Sequence, residues 1–163
     1  MKRIIIHWTG GTSVPNSHEI ECYHYLVDGL GKIHMGKFEP IANEVCKTNL
    51  YAAHTGGGNT GSIGIALCGM FGFKDKHNIG NYPITKVQFE AAMQLCAKIA
   101  QKYEIPVSKT TIITHYEFGI THPKTTSAGK IDIIFLPPYS WVAKDDVGEF
   151  IRTKIRWYLQ NSR

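Results

Sequence analysis

Two short β-branched runs, each leading into a histidine, constrain the fold more than any other feature of this sequence. The first, RIIIHW, spans residues 3–8, and the second, TTIITH, spans residues 110–115. Runs of isoleucine and threonine of this length are typical of buried strands. If the two strands are neighbours in one sheet, the imidazoles of His7 and His115 approach the same point.

The segments between these runs carry further strand signals. Residues 23–28, YHYLVD, indicate a strand that leads into the turn DGLG, and residues 32–38, KIHMGKF, return as its hairpin partner. Residues 62–68, SIGIALC, form a continuous apolar run bounded by glycine, which is typical of a strand inside a sheet. We expect the other strands to be its neighbours.

Helix signals complete the fold prediction. Thr85 and Gln88 form a capping-box pattern, after which apolar residues recur on one face of a helix. A last helix is predicted over roughly residues 144–159. The elements together predict an α/β fold, a single domain over residues 1–163 with a central mixed β-sheet flanked by helices.

Length and charge limit the partners and the cellular location that we expect for this chain. The chain has 163 residues and a formal net charge of +5, which favours an anionic partner. The lysines and arginines are scattered, so nucleic acid is not expected as that partner. The apolar stretches are too short to cross a bilayer, and no signal-peptide core precedes the first strand. We therefore expect synthesis in the cytoplasm without a signal peptide, no membrane insertion and a monomer.

The glycine-rich stretch GGGNTG, residues 56–61, matches the G-x-G-x-x-G pattern of dinucleotide-binding proteins. That pattern requires a preceding strand and a following helix, whose N-terminus meets the pyrophosphate. Here a strand is predicted to follow. We therefore interpret the stretch as a flexible loop rather than as a nucleotide site.

The two strand-end histidines are candidate metal ligands. A lone histidine at such a position is more often structural, but two at equivalent positions favour a shared ion. A catalytic zinc ion takes a third nitrogen, oxygen or sulfur ligand and leaves one position for water. The segment THPKTTSAGKIDIIFLPP, residues 121–138, offers His122 and Asp132 as that ligand.

At these motifs the sequence resembles the type 2 zinc-dependent N-acetylmuramoyl-L-alanine amidases, a family that includes phage amidase lysozymes and the peptidoglycan recognition proteins. The resemblance spans most of the chain. It rests on IIIHWTGG, YHYLVDGLGKIH, AAHTGGGNTGSIGIALCG and ITHYEFG followed by GKID, in the order that the family has them.

The resemblance implies a zinc site and two catalytic residues. His7 and His115 match the family's two zinc histidines, and Asp132 matches its third Zn²⁺ ligand. Lys130 matches the lysine that stabilises the oxyanion, and Tyr23 matches a tyrosine beside the metal in the phage enzymes. His122 remains the alternative third ligand.

The resemblance also implies the substrate. His24, His54 and Asn59 fall where the family has residues that line the substrate groove. The implied activity is zinc-dependent hydrolysis of the amide bond between N-acetylmuramic acid and L-alanine, as in a phage-type endolysin or a bacterial cell-wall amidase. Two alternatives stay open: a peptidoglycan-binding module without catalysis, and a cytoplasmic amidase that recycles small anhydromuropeptides.

Overall fold

In the computed structural model, which describes residues 1–161, five strands form one mixed sheet in the order β3-β2-β4-β1-β5. The strands are β1 (Arg3–Trp8), β2 (Tyr25–Val27), β3 (Ile33–Met35), β4 (Ser62–Leu67) and β5 (Ile112–Thr114). The pair β2–β3 is the predicted antiparallel hairpin, and the other pairings are parallel. The sheet is mixed, as predicted.

Strand β1 lies between β4 and β5 and runs parallel to both. Ile6 stands opposite Thr114, so the next residues along the two strands are His7 and His115. The two histidines therefore lie at the same edge of the sheet. This confirms the prediction that the two strands ending in histidine are neighbours.

Four α-helices flank the sheet: α1 (Ser17–Cys22), α2 (Lys86–Lys102), α3 (His115–Thr121) and α4 (Val147–Asn161). Alternate residues of β1 separate two apolar layers. Ile4 and Ile6 face the main core, which α2 and α4 complete, whereas Ile5 packs with Ile113 and with Phe118 of α3. No helix within residues 1–161 is both long and apolar enough to cross a membrane.

Helix α2 begins where the sequence predicts. The Thr85 hydroxyl accepts a hydrogen bond from the backbone N–H of Gln88, and the Gln88 side chain accepts one from Thr85 N–H. The buried Gln88 amide also donates to the carbonyls of Val27 and Cys68, at 2.9 and 2.8 Å. One residue thus caps the helix and fixes it to the ends of β2 and β4.

Two element boundaries differ from the prediction. The second strand covers only Tyr25–Val27, because helix α1 runs to Cys22 and is capped by Tyr23, whose N–H donates to the Glu19 carbonyl. The predicted start of the last helix, residues 144–146, is a 3₁₀ turn, and α4 itself begins at Val147. The six-residue helix α1 was not predicted from the sequence pattern.

A buried arginine joins α4 to α3 and β5. The Arg152 guanidinium donates to both carboxylate oxygens of Glu117, at 3.0 and 2.9 Å, and to the Ile112 carbonyl at 2.9 Å. Glu117 also closes the capping box of α3 with Thr114. The residues immediately around His115 are therefore held by an ion pair with low exposure to solvent.

Candidate metal centre

Three side chains from distant parts of the chain meet at the edge of the sheet. Nδ1 of His7 lies 3.1 Å from Nδ1 of His115 and 2.9 Å from Oδ2 of Asp132. The same Asp132 oxygen lies 3.2 Å from Nδ1 of His115. All three residues are buried, and the three atoms form a compact group that could hold a metal ion.

Each of the three positions is fixed by its local structure. His7 lies in β1 and is fully buried, and His115 is the first residue of α3, directly after the N-cap Thr114. Asp132 belongs to the segment that follows α3, and its carbonyl accepts a hydrogen bond from the Tyr116 N–H. The segment is thereby tied to the first turn of α3.

The tautomer of His7 follows from the two side chains that contact its Nε2 atom, those of His54 and Thr55. Nε2 of His54 faces the Ser62 carbonyl at 3.4 Å, and a carbonyl only accepts, so this nitrogen carries the proton. Nδ1 of His54 is then an acceptor, 3.2 Å from Nε2 of His7, and the Thr55 hydroxyl lies 3.3 Å from the same His7 atom. Nε2 of His7 is therefore the protonated nitrogen, and its Nδ1 presents a lone pair.

The same reasoning fixes His115. The Ser127 hydroxyl donates to the Gly56 carbonyl at 2.7 Å, so its oxygen accepts the hydrogen bond from Nε2–H of His115 at 2.9 Å. Nδ1 of His115 then also presents a lone pair. Metal-binding histidines commonly have their second nitrogen bonded in this way, which sets the tautomer and the ring orientation.

A cation at the centre of the three acceptor atoms would complement all of them. Ligand atoms about 2.0–2.1 Å from a tetrahedral zinc ion are about 3.3–3.4 Å apart. The separations of 2.9–3.2 Å among His7, His115 and Asp132 are slightly shorter than this edge. Two imidazoles and a carboxylate are also ligands that zinc accepts, so the donor set fits the ion.

The protonation states suit metal binding. Burial lowers the pKa of His7 and, further, that of His54, so both imidazoles are neutral near pH 7. Burial alone would raise the pKa of Asp132, and hydrogen bonds from protonated His115 and His7 would lower it well below its usual range. With both Nδ1 atoms unprotonated, a bound cation takes over that role. Neutral imidazoles and an ionised carboxylate bind a divalent cation without first losing a proton.

A cavity of about 360 Å³ opens over the three ligands. His115 and Asp132 reach its wall, together with Tyr23, His54 and Lys130. The other lining residues are Trp8, Thr9, Gly10, Ala53, Gly56 and Thr126. A substrate in this cavity therefore meets the candidate metal ligands directly.

Comparison with known proteins decides the family. Residues 1–130 match the family described as N-acetylmuramoyl-L-alanine amidase. The chain belongs to this amidase family. The family match ends two residues before Asp132, so the candidacy of Asp132 as third ligand rests on the geometry of the site.

Two solved structures illustrate the similarity of this chain to known proteins. The peptidoglycan recognition protein SD of Drosophila is 20% identical, with a TM-score of 0.50 over 77% of this chain and 74% of its own. The amidase LysC of Clostridium intestinale URNW is 21% identical, with a TM-score of 0.48 over 70% and 69%. The similarity to the Drosophila protein supports the fold. No curated protein sequence matches the chain significantly.

In this member of the amidase family, the two residues that the resemblance assigns to catalysis, Tyr23 and Lys130, both line the cavity. The Tyr23 ring lies 5.1 Å from that of His7. Burial, followed by the charge of Asp132, raises the pKa of Tyr23, so its phenol stays protonated and can donate a hydrogen bond. Lys130 is exposed, and its ammonium can reach into the cavity mouth.

Three candidate residues lie elsewhere. His24 is 1% exposed, accepts from Gly64 N–H and contacts the Asn43 amide oxygen at 2.9 Å, so it joins strand and loop rather than lining the cavity. Asn59 accepts from the N–H groups of His54 and Thr55 and thereby closes their loop. His122 is exposed and stacks on Phe118, outside the group of metal ligands.

The amidase site also contains residues that the sequence analysis did not single out. Ser127 contacts Nε2 of the candidate ligand His115. Thr55 contacts Nε2 of the candidate ligand His7 and also Nδ1 of His54. Gly64 lies under the His54 ring, where a Cβ would come within 2.5 Å of the ring. Ser127 occurs between the candidate ligands in TTSAGKID, which is a signal only once the ligands are known.

Proposed function

We propose that this amidase-family chain is a zinc enzyme that hydrolyses the amide bond between N-acetylmuramic acid and L-alanine in peptidoglycan. The observation that supports this most strongly is the meeting of two Nδ1 lone pairs and one carboxylate oxygen at the floor of an open cavity. A binding module without catalysis has no need for such a set, because binding a glycopeptide requires only contacts.

Three residues would hold the zinc ion: His7, His115 and Asp132. When bound there, zinc supplies a Lewis acid that polarises the amide carbonyl and lowers the pKa of a water molecule towards about 7. The outward hydrogen bonds of the two histidines keep both Nδ1 atoms directed at the ion.

Two further residues would act on the reacting amide. The carbonyl oxygen becomes negative as water adds to the carbon, and Lys130 and the Tyr23 phenol are hydrogen-bond donors that line the same cavity. The new C–O bond would form with the oxygen of water, the C–N bond would then break, and a proton from the water would go to the departing nitrogen. The products are a carboxylate on the lactyl group and a free amino group on L-alanine. Each donor of this kind typically contributes about 3–4 kcal/mol to stabilising the transition state.

The substrate is either the polymeric wall, as for an endolysin, or small anhydromuropeptides, as for a recycling enzyme. We favour the polymer, because the cavity is open at the surface and the chain carries a net charge of +5 against an acidic wall.

The experiment is a metal analysis of the purified protein followed by digestion of purified peptidoglycan. We expect about one zinc per chain, and mass spectrometry of the digest should show new L-alanine amino termini. The matched control is Asp132→Asn, which keeps the size of the side chain and removes its charge. Products that are cleaved between sugars or within the peptide, or an absence of any product with zinc bound, would contradict the proposal.

A further inference from the structure

A second groove lies beside the catalytic cavity. It has a volume of about 480 Å³, and its walls are residues 73–76, 134–135 and 140–144. Phe73 and Phe135 stack in it with ring centroids 6.2 Å apart, and Trp141 stands at its side with 74% of its surface exposed. A tryptophan this exposed beside two further aromatic rings is typical of a binding surface.

The groove lies next to the candidate active site. Trp8 lines the catalytic cavity, and its ring centroid lies 5.1 Å from that of Phe73. On the other wall, Ile134 follows the ligand Asp132 by two residues. The two sites are therefore close enough for one chain-like ligand to contact both.

The groove also carries positive charge. Lys74, Lys76 and Lys144 line it, against a single carboxylate, Asp75. Asp75 accepts hydrogen bonds from the backbone N–H groups of His77 and Asn78, so its negative charge is partly compensated within its own turn. An occupant with both apolar faces and negative charges complements this surface.

We propose that this groove binds the glycan strand of polymeric peptidoglycan, with the aromatic rings against sugar faces and the lysines against carboxylates of the stem peptides. The inference rests on the proposed function and deepens it, because it assigns the site to the polymer rather than to small muropeptides. Aromatic side chains offer a large, rigid contact area of the kind that dominates binding energy. A single soluble muropeptide ends close to the reacting bond, whereas the polymer continues beyond it and offers further sugar units to the groove.

The test compares Trp141→Ala with Trp157→Ala, a control on α4 in which the tryptophan is 53% exposed and lies outside this groove. Binding is measured by sedimentation with purified peptidoglycan sacculi. Turnover is measured on sacculi and on a soluble muropeptide that contains the same amide. Trp141→Ala should weaken sacculus binding about tenfold and lower the ratio of kcat/KM on sacculi to that on the muropeptide by a similar factor. Trp157→Ala should change neither.

A second experiment tests the contribution of the lysine charges independently. The double variant Lys74→Glu, Lys76→Glu should weaken sacculus binding, and added salt should weaken wild-type binding more than that of the double variant. Equal losses on polymer and muropeptide, or unchanged binding by Trp141→Ala, would overturn the proposal. Wild-type binding that disappears when anionic wall polymers are stripped from the sacculi would also overturn it, because the groove would then hold those polymers.

The two proposals fail separately. If neither substrate is cleaved, the proposed amidase activity is wrong, but sedimentation still compares Trp141→Ala with Trp157→Ala. Sacculus binding that depends on Trp141 in an inactive protein would leave the groove assignment standing.

Discussion

Nδ1 of His7 and Nδ1 of His115 lie 3.1 Å apart, although 108 positions separate the two residues in the chain. The parallel pairing of β1 with β5 brings them together, and Asp132 closes the group from the segment after α3. Nε2 of each histidine donates a hydrogen bond to a neighbouring side chain, so Nδ1 of each is available to a cation.

Removing a histidine ligand should remove the metal. His7→Ala and His115→Ala leave two protein ligands, which do not hold zinc in a closed geometry, so each variant should lose metal and activity together. Elemental analysis of the purified proteins measures the loss. The control is His122→Ala, an exposed histidine outside the ligand group, which should keep its zinc. Near-stoichiometric zinc in either ligand variant would show that the ligands are misassigned.

Lys130→Ala should keep its zinc but lose turnover. The ammonium is assigned to the developing negative charge, so its removal should lower kcat about 10²- to 10³-fold with little change in metal content. Lys124→Ala is a matched control, because Lys124 is an exposed lysine of the same segment that does not line the cavity. An unchanged kcat in Lys130→Ala would make this lysine an ordinary surface charge.

Ser127→Ala should weaken zinc binding without removing a ligand. The substitution deletes the acceptor for Nε2–H of His115 and the donor to the Gly56 carbonyl. Loss of such a partner typically lowers metal affinity about 10- to 100-fold. Competition with a chromophoric chelator measures this, with Ser17→Ala, an exposed serine in α1, as the control. Equal affinity in the two variants would mean that the His115 tautomer does not depend on Ser127.

Arg152→Ala should strongly destabilise the fold. The guanidinium is buried against Glu117, and removing it leaves that carboxylate without its partner, which typically costs about 3–5 kcal/mol. Arg156→Ala is the control, because Arg156 pairs with the half-exposed Glu149 and such pairs contribute about 1 kcal/mol or less. Urea unfolding gives both free energies. Similar losses in the two variants would contradict the assigned role of Arg152.

Asp28 should make stability depend on pH. Burial tends to raise its pKa, but hydrogen bonds from His34 and from the N–H groups of Lys32 and Leu30 outweigh this and lower it. A carboxyl with a lowered pKa stabilises the fold above its unfolded pKa of about 3.9, and that contribution disappears as pH falls through the folded pKa. Asp28→Asn should therefore be less stable than wild type at pH 7, with the difference shrinking below about pH 4. Unfolding curves across this range would refute the prediction if the difference stayed constant.

Periodic apolar patterns predicted the parts of the fold that they directly encode. The strand RIIIHW and the capped start of α2 at Thr85 appear as expected, because burial and capping act within a few residues of one another. Helix α1 has only six residues, too few for a periodic pattern to emerge, and it shortened the predicted second strand.

Side-chain direction in loops was not predictable in the same way. His24 and Asn59 carry the right chemistry for a groove, but their side chains complete hydrogen bonds of neighbouring backbone instead. Ser127 and Thr55 matter because two loops meet at the ligands, and that meeting depends on residues more than 70 positions apart. No local pattern in a single sequence contains this information.

The position of β1 has a consequence for the order in which the protein can become active during synthesis. This first strand leaves the ribosome early, yet its neighbours β4 and β5 are made only after residues 62 and 112 have been added. His7 must then wait until Asp132 has also emerged. A nascent chain therefore carries no complete candidate metal centre before Asp132 has emerged, and the proposed hydrolytic activity begins only after that point.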